Sequence, residues 1–470
     1  MSLLLISFLV GIAIFALITL SKGLFGSNNL ISERIFSLAL GIIFVIRFLL
    51  FKSFDVIESI PSGDKGIILG NGGLIYANLL MWFEITAILI LVLRPFFKFK
   101  TVIWYAKYIS LGVFTVFFIS LPFIAHHLEL ISSFGLASYF AVEIGYGFAI
   151  SIYYHLNDRK IKIEKTSYSE VTLVSLFINL ITIPVALPSF LFSQSVTINN
   201  DPLYSSFLVY VILLFIPLLL FGLLKNSEKD KIKFYLIFIC LGACINFIEL
   251  GTWKDLFSPW NWPLNLVELG LILLTLSVLF NLKNVFNFVL IIILFSTFLS
   301  ILLPTYDLNA LVISKEVISY YATHFVVVWI CFACLLLKVF KAPKLKELIY
   351  STIGFTCYYL LTLILNITFK GLSGTTFELF HETFVIKSPN YFFSDSAYLI
   401  YRIGLPWTKI YSISVPFSIN GKEFALHPVF ELIHYWLFIF FEFSFYYLAK
   451  IAFEAWDSLR LNNQRLEDIN

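Results

Sequence analysis

The chain has 470 residues, of which 60% are hydrophobic, 18% aromatic and only 13% charged, and its mean hydropathy is +0.92. Soluble domains carry about 25% charged residues, so a soluble globule of this size would leave far too much apolar surface in water. The composition excludes an ordinary soluble protein and predicts that the lipid bilayer is the solvent. The formal net charge of +3 comes from basic residues scattered over short loops, which excludes a nucleic-acid-binding surface.

Apolar runs of roughly 18–24 residues are long enough to cross the ~30 Å hydrocarbon core of a bilayer. They predict an all-α polytopic membrane protein with about 13 transmembrane helices. The first run lacks a positively charged leader and is followed by Lys22, which fits a first transmembrane helix better than a cleaved signal peptide. The predicted spans are residues 3–20, 35–51, 70–93, 103–124, 134–155, 171–193, 206–224, 233–250, 262–281, 285–303, 319–338, 349–369 and 428–450.

The positions of lysine and arginine predict how the chain crosses the membrane. With the N-terminus outside, most of the 32 basic residues fall in cytoplasmic loops or in the C-terminal tail. The positive-inside rule therefore favours an odd number of helices, with the N-terminus outside and the C-terminus in the cytoplasm. We predict a multi-pass protein of the cell membrane.

Short polar motifs of the first half recur in the same order in the second half. The matched pairs are Arg47 with Glu249, Glu84 with Glu268, Glu143 with His324, and Asn179 with Asn366. This order predicts two six-helix repeats that point the same way through the membrane. The predicted domains are a first repeat at 1–205, a second repeat at 206–370, an extracytoplasmic loop at 371–427, and a last helix with a cytoplasmic tail at 428–470.

The extracytoplasmic loop is rich in phenylalanine and tyrosine. Within it, Tyr411–Ile419 and Lys422–Leu426 flank Asn420 and Gly421, a dipeptide typical of tight β-hairpin turns. We interpret the loop as an ordered lid packed on the helix ends, and the alternative interpretation is a gate for a ligand.

Two sets of polar residues lie inside predicted spans, where a charge costs roughly 2.5–3.5 kcal/mol and needs a reason. The first set is Arg47, Glu84 and Glu143, and the second is Glu249, Glu268 and His324. A histidine beside a carboxylate titrates near neutral pH and can act as an acid or a base. We predict His324, Glu249 and Glu268 as catalytic residues. The predicted substrate-binding residues are Asn265, Trp253, Trp262, Arg47, Glu84 and Glu143. The alternative is a buried polar network that only fixes helix packing.

Two further patterns suggest metal ligands, but neither has the spacing of a metal site. Cys331 and Cys334 form a Cys-x-x-Cys pattern without a second pair or a loop histidine. His427, Glu431 and His434 share one face of the last helix but lack the paired-histidine spacing of a zincin. We predict no metal and no other cofactor; the cysteines are interpreted as packing residues and the last-helix residues as a polar outer rim.

Residues from about 231 to 370 carry a family resemblance. Phe247-Ile-Glu249 and Trp253 are followed by Trp262-Pro-Leu-Asn-Leu-Val267 and then by His324. In this order the region resembles the YwaF-type family of bacterial membrane proteins, which is related to a eukaryotic membrane phospholipid acyltransferase. That family typically has Leu-Pro-Leu-His-Leu-Cys where this chain has Trp262 to Val267, so Asn265 and Val267 replace its histidine and cysteine.

The resemblance implies a protein that handles lipid or acyl groups, with membrane lipids and a small-molecule or acyl ligand as partners. If the family's cysteine carries the acyl group as a thioester, the nucleophile is missing here. We therefore expect lost or altered acyltransferase chemistry. The alternatives are a secondary transporter, because Glu84 and Glu268 occupy corresponding helices of the two repeats, and a non-catalytic scaffold or assembly subunit.

Overall fold

A computed structural model describes most of the chain, and the described part is mostly helical. The described residues are 3–25, 29–51, 72–127, 134–157, 222, 224–225, 227–247, 259, 262–302, 315–379, 382–389, 391 and 409–467. The predicted span 171–193 and nearly all of 206–224 lie outside these residues, as do Glu249 and Trp253. The chain divides into two compact units.

The helices follow the apolar runs of the sequence. In a hydrocarbon environment every backbone N–H and C=O group needs a hydrogen bond within the protein, and a helix provides these bonds within one segment. The helices are α1 (Leu3–Phe25), α2 (Asn29–Phe51), α3 (Gly72–Leu93), α4 (Lys100–Trp104), α5 (Ser110–His127), α6 (Phe134–Asn157), α7 (Lys229–Phe247), α8 (Leu266–Phe280), α9 (Lys283–Phe288), α10 (Leu294–Leu302), α11 (Lys315–Leu336), α12 (Leu345–Leu372) and α13 (Pro428–Glu467). A π-helical turn joins α4 to α5 at Tyr105–Ile109, and another joins α9 to α10 at Val289–Ile293.

Five stretches of helix in the described part are long and apolar enough to cross a membrane. They are Leu4–Ser21, Lys100–Pro122, Lys283–Ile301, Leu345–Leu372 and Pro428–Leu448. Shorter apolar stretches occur at Phe83–Leu93, Leu266–Phe280 and Thr323–Leu336. The structure is therefore consistent with an all-α membrane protein.

The first unit contains α1 to α7 and the first turns of α11. In this unit α1 and α6 approach closely, since a Cβ added to Gly145 would overlap the main-chain oxygen of Ser7. Small residues at this contact let the two backbones approach, as is usual between membrane helices. Polar groups link α2 to α6: Ser37 and Tyr154 are hydrogen-bonded at 3.0 Å, and the Tyr153 hydroxyl donates to Glu33 at 3.2 Å.

The second unit contains α8 to α10, most of α11, α12, α13 and the strands. The helix α12 packs on the α9–π–α10 helix and on α13. Its first turn is anchored by Glu347, which accepts hydrogen bonds from the Lys283 ammonium at 2.6 Å and from the Lys344 main-chain nitrogen at 2.5 Å. An acidic residue in the first turn also complements the helix dipole. Farther along α12, Phe355 stacks on Phe438 of α13 with ring centroids 4.5 Å apart.

Two antiparallel hairpins follow α12. The strands β1 (Thr376–Leu379) and β2 (Glu382–Val385) form the first hairpin, which was not predicted from the sequence. The strands β3 (Val415–Ile419) and β4 (Lys422–Leu426) form the second, with Phe417 opposite Phe424. Its turn is Asn420-Gly421, and both residues have positive φ, 53° and 73°, as a tight hairpin turn requires.

Candidate functional site

A row of polar side chains runs along one face of α12 and meets α13. Thr352 donates to the Glu442 carboxylate at 2.9 Å, and one turn later Thr356 is hydrogen-bonded to the Tyr435 hydroxyl at 2.7 Å. One turn farther along, Tyr359 donates to the Glu431 carboxylate, and its hydroxyl lies 2.9 Å from the Glu431 main-chain oxygen. The two helices are therefore antiparallel and are connected by hydrogen bonds at three levels.

The hairpin β3–β4 closes the end of this helix pair at which α12 ends. The side chain of Ile419 occupies the space that a Cβ on Gly371 would need, so glycine lets the strand lie directly on the helix. The Lys370 ammonium lies 5.4 Å from the centre of the Phe424 ring. At the start of α13, the His427 ring stacks on Tyr411 at 3.8 Å and donates its Nδ1 proton to the Tyr411 main-chain oxygen at 2.6 Å.

These three elements, α12, β4 and the first turns of α13, line a half-open cavity of about 430 Å³. Small-molecule pockets in proteins usually measure about 300–1,000 Å³ and have apolar walls with few polar groups. The apolar lining residues are Leu360, Leu363, Ile367, Ala425, Leu426, Pro428 and Leu432. The polar lining residues are Thr356, Tyr359, Asn366, Lys370, His427, Glu431 and Tyr435.

Asn366, which lines the cavity, connects α12 to Tyr391 and, through the Tyr391 side chain, to Pro259 in the segment before α8. Its amide nitrogen donates to the Tyr391 main-chain oxygen at 2.9 Å, and its oxygen accepts from the Tyr391 nitrogen at 3.1 Å. The Tyr391 hydroxyl in turn donates to the main-chain oxygen of Pro259. Burial, together with the nearby carboxylate of Glu268, raises the pKa of Tyr391, so this hydroxyl stays a neutral donor.

Three of the predicted site residues come together beside this link. Asn265 donates to the Glu268 carboxylate at 3.4 Å, and the residue before it, Leu264, accepts from the Tyr358 hydroxyl at 2.8 Å. Trp262 packs edge-on against Phe369 with ring centroids 5.5 Å apart. All of these groups lie on the same end of α12 as the cavity, and Asn366 belongs both to this cluster and to the cavity wall.

The other predicted site residues lie on other elements. His324 lies on α11 and is 9% exposed. Glu84 on α3 and Glu143 on α6 are fully buried in the first unit. Arg47 lies in α2, but its side chain is outside the described part, so the predicted pairing of Arg47 with a carboxylate stays a prediction.

Neither Val267 nor Cys331 belongs to the residues that line the cavity. Val267, where the resemblance places a cysteine, has no nucleophilic atom and is 7% exposed on α8, and the thiol of Cys331 is completely buried on α11. Among the described residues, no group of three or more histidine, cysteine, aspartate or glutamate side chains has the arrangement of a metal site. Glu431 and His427, predicted as part of a polar outer rim, line the cavity, while His434 stacks on Phe430 at 5.5 Å.

Sequence reasoning missed Tyr359, Lys370 and Tyr391. A signal for the first two was present, because Thr352, Thr356, Tyr359, Asn366 and Lys370 recur at intervals of three, four and seven residues and so share one face of α12. Tyr391 had no such signal, since it reaches α12 only through the fold.

Searches of family models, of curated proteins and of solved structures found no match to this chain. The resemblance to the YwaF-type family therefore remains a prediction from the residues, and the function has to be argued from the cavity itself.

Proposed function

We propose that this membrane protein binds the hydrocarbon chain of a lipid or another amphiphile in the cavity between α12, β4 and α13. The observation that carries the proposal is the character of the cavity: its walls are aliphatic, and most of its polar groups already bind one another. Tyr359 donates to Glu431, and Thr356 binds Tyr435. A hydrocarbon chain can therefore enter without leaving these groups unsatisfied.

The dimensions of the cavity suit an extended chain. Its lining follows α12 from Thr356 to Lys370, a distance of about 21 Å at 1.5 Å per residue. A volume of 430 Å³ lies in the lower part of the range of ligand pockets, which favours one chain over two. Each methylene removed from water contributes roughly 0.8 kcal/mol, but a chain arriving from the bilayer gains mainly packing contacts. Selectivity must then come from the polar ends of the cavity.

We propose binding without acyl transfer. An acyltransferase that works through a thioester needs an accessible, activated thiol. Within the described residues the cysteines of the spans are buried, apart from Cys357, which is exposed on α12. The predicted catalytic residue His324 is buried on α11 and does not line the cavity.

The binding proposal is tested with a neutral probe, a fatty alcohol that carries a photoactivatable diazirine in its chain. Purified protein in liposomes is illuminated and the labelled peptides are mapped. Labelling of the segments 360–367 and 425–432 should be saturable, that is, displaced by excess unlabelled hexadecanol. Leu363→Trp, which fills the cavity, should remove the saturable labelling. Leu361→Trp is the matched control, because Leu361 is on the same helix, is 50% exposed and does not line the cavity. Equal saturable labelling in both variants would contradict the proposal.

We further propose the orientation and the repeat architecture predicted above: about 13 spans, two parallel six-helix repeats, N-terminus outside and C-terminus cytoplasmic in the cell membrane. The basic residues support this orientation through the positive-inside rule. In a background without the exposed Cys357, a membrane-impermeant maleimide should label Ser418→Cys in the hairpin turn region of intact cells. Ser458→Cys, on the last helix, should be labelled only after permeabilisation. The reverse pattern would invert the topology.

A second candidate function, proton-coupled transport, is supported by the depth of Glu84 and Glu143. The helix α3 runs antiparallel to α2, because Arg34 lies over the Phe96 ring whereas Gly41, farther along α2, adjoins Val92. The helix α6 also runs antiparallel to α2: the Tyr153 hydroxyl donates to Glu33, whereas the Tyr139 hydroxyl donates to the main-chain oxygen of Ile43. Thus α3 and α6 are parallel to each other.

The Arg94 guanidinium lies 5.3 Å from the Tyr154 ring, which aligns the two helices. Glu84 and Glu143 lie about 15–16 Å before those residues at 1.5 Å per residue, so the two buried carboxylates share one depth. Buried carboxylates inside membrane bundles are common in proton relays.

Proton flux into liposomes tests this second candidate. A pH-sensitive dye trapped inside the liposomes reports acidification driven by a potassium diffusion potential. Flux that disappears in Glu84→Gln and in Glu143→Gln, but persists in the exposed control Glu454→Gln, would favour transport. Flux at the level of protein-free liposomes in the unmodified protein would eliminate uncoupled proton conduction through this pair.

A further inference from the structure

We propose that the cavity selects a single-chain amphiphile with an anionic head, and that Lys370 binds the anionic group. This inference rests on the proposed chain-binding function and adds the class of ligand. Charge is distributed unevenly along the cavity, with Lys370 at one end and Glu431 at a distance from it.

The cationic end is the hairpin end of α12. Lys370 stands in the last turn of α12, lines the cavity and is half-buried, with its ammonium over the face of the Phe424 ring. A second ammonium lies close by, because Lys422 donates to the main-chain oxygen of Ser373 at the end of the same helix. Of these two ammonium groups, Lys370 is the one that lines the cavity, so it places a positive charge at this mouth, and partial burial makes its attraction for an anion stronger than at a fully hydrated surface.

The carboxylate of the cavity is remote from this mouth. Glu431 lies at the level of Tyr359, whose hydroxyl it accepts, and Tyr359 is eleven residues before Lys370, about 16 Å along the helix. An anion in contact with Lys370 is therefore attracted by that ammonium more strongly than it is repelled by the remote Glu431 carboxylate, because the interaction of two charges weakens with distance. The hydrogen bond from Tyr359 further stabilises the charge on Glu431 without a counter-ion from the ligand.

The cavity wall between Lys370 and the Tyr359–Glu431 pair is apolar and suits the hydrocarbon chain of the ligand. Leu363 and Ile367 of α12 and Leu426 of β4 lie between the Tyr359–Glu431 pair and Lys370, so a chain that enters with its head at Lys370 meets hydrocarbon over that length. The Nδ1 proton of His427 is donated to the Tyr411 main-chain oxygen, which orients this ring at the start of α13. An anion at one end and a hydrocarbon chain along the wall describe a fatty-acid-like or monoalkyl-phosphate-like ligand.

Competition against the neutral diazirine alcohol tests this inference separately from chain binding. Palmitate, hexadecyl phosphate and hexadecanol are compared by the concentration that halves the saturable labelling of the cavity peptides. We expect the anions to compete about tenfold better than hexadecanol, the effect of one partly screened charge-assisted hydrogen bond. A stronger effect of hexadecyl phosphate than of palmitate would identify a phosphate as the preferred anion, and the opposite order a carboxylate; both support the inference.

Three variants complete the test. Lys370→Gln should remove the preference for anions while the neutral probe still labels the cavity, which also shows that this variant folds. Lys370→Arg should retain the preference. Lys409→Gln is the control, because Lys409 is exposed near the hairpin but does not line the cavity. Equal competition by hexadecanol and the anions would overturn the inference and leave chain binding intact, whereas no saturable labelling by the neutral probe would overturn both.

Discussion

The side-chain amide of Asn366 makes two hydrogen bonds with the main chain of Tyr391: its nitrogen donates to the Tyr391 oxygen at 2.9 Å, and its oxygen accepts from the Tyr391 nitrogen at 3.1 Å. Both residues are buried, with 4% and 1% of their surfaces exposed. Because Asn366 also lines the cavity, this pair fixes one wall of the proposed binding site to the segment that carries Asn265 and Glu268. Its loss should therefore affect stability and ligand binding together.

Asn366→Ala is expected to lower the free energy of unfolding by about 2 kcal/mol, because it leaves two buried main-chain groups of Tyr391 without this partner. The control is Ile364→Ala on the same helix, where the side chain is 60% exposed. That change should cost less than about 0.5 kcal/mol, since an exposed residue has little packing to lose. Thermal unfolding of the purified protein in detergent measures both, and equal midpoints would refute the structural importance of the pair.

Tyr359→Phe removes the hydroxyl that donates to the Glu431 carboxylate and should lower stability by about 2 kcal/mol, because hydrogen bonds to charged groups are the stronger ones. Glu431→Gln keeps an acceptor of nearly the same shape and should cost less. The double variant isolates the interaction: a coupling energy of at least about 1 kcal/mol is expected if the two groups bind directly. Additive effects in the cycle would contradict the contact.

Gly145→Ala tests the close approach of α1 and α6. A Cβ at this position overlaps the main-chain oxygen of Ser7, so the helices must separate, at a cost of about 1–3 kcal/mol. The matched control is Gly112→Ala on α5, where no atom lies within 4 Å of the added Cβ. There alanine should stabilise by up to about 1 kcal/mol, because it is the better helix former. Opposite shifts of the unfolding midpoint are expected, and parallel shifts would be inconsistent with the packing.

Glu347→Ala should destabilise the protein by about 1–2 kcal/mol, more than Lys283→Ala does. Glu347 accepts hydrogen bonds from both the Lys283 ammonium and the Lys344 main-chain nitrogen at the start of α12. The Lys283 side chain is 41% exposed, so solvent screens the ion pair between Lys283 and Glu347. High salt should therefore reduce the effect of Lys283→Ala more than that of Glu347→Ala. Glu454→Ala, which breaks the exposed pair with Lys450, serves as the near-neutral control in the same unfolding measurements.

Local sequence rules predicted the elements well where a single stretch of chain decides the outcome. The hairpin at Asn420-Gly421 needs only two residues that tolerate positive φ between alternating strands. The apolar runs form helices for the same local reason, although α12 begins at Leu345 and α13 continues to Glu467, beyond the predicted spans 349–369 and 428–450. At α12 the earlier start follows from Glu347, whose carboxylate accepts a hydrogen bond from the Lys344 main-chain N–H at the beginning of the helix.

The sequence was less informative about which polar residues meet. It grouped Glu268 with His324 by type and depth, which stays a prediction; the contacts of Glu268 with Asn265 and with the surroundings of Tyr391 come from the structure. Depth in a membrane is readable from the position of a residue in an apolar run, whereas the direction in which a helix face turns depends on its neighbours.

The sequence by itself determined that this is a chain of apolar helices with buried carboxylates and a hairpin, because those properties follow from composition and from contacts only a few residues apart. The tertiary structure decided that Tyr359, Asn366 and Lys370 of α12 line a cavity with β4 and with Glu431 of α13. These partners are separated by roughly 55–70 residues along the chain. Only the packing of α12 against α13, fixed by the stacked rings of Phe355 and Phe438 and by the antiparallel hydrogen bonds, brings them together.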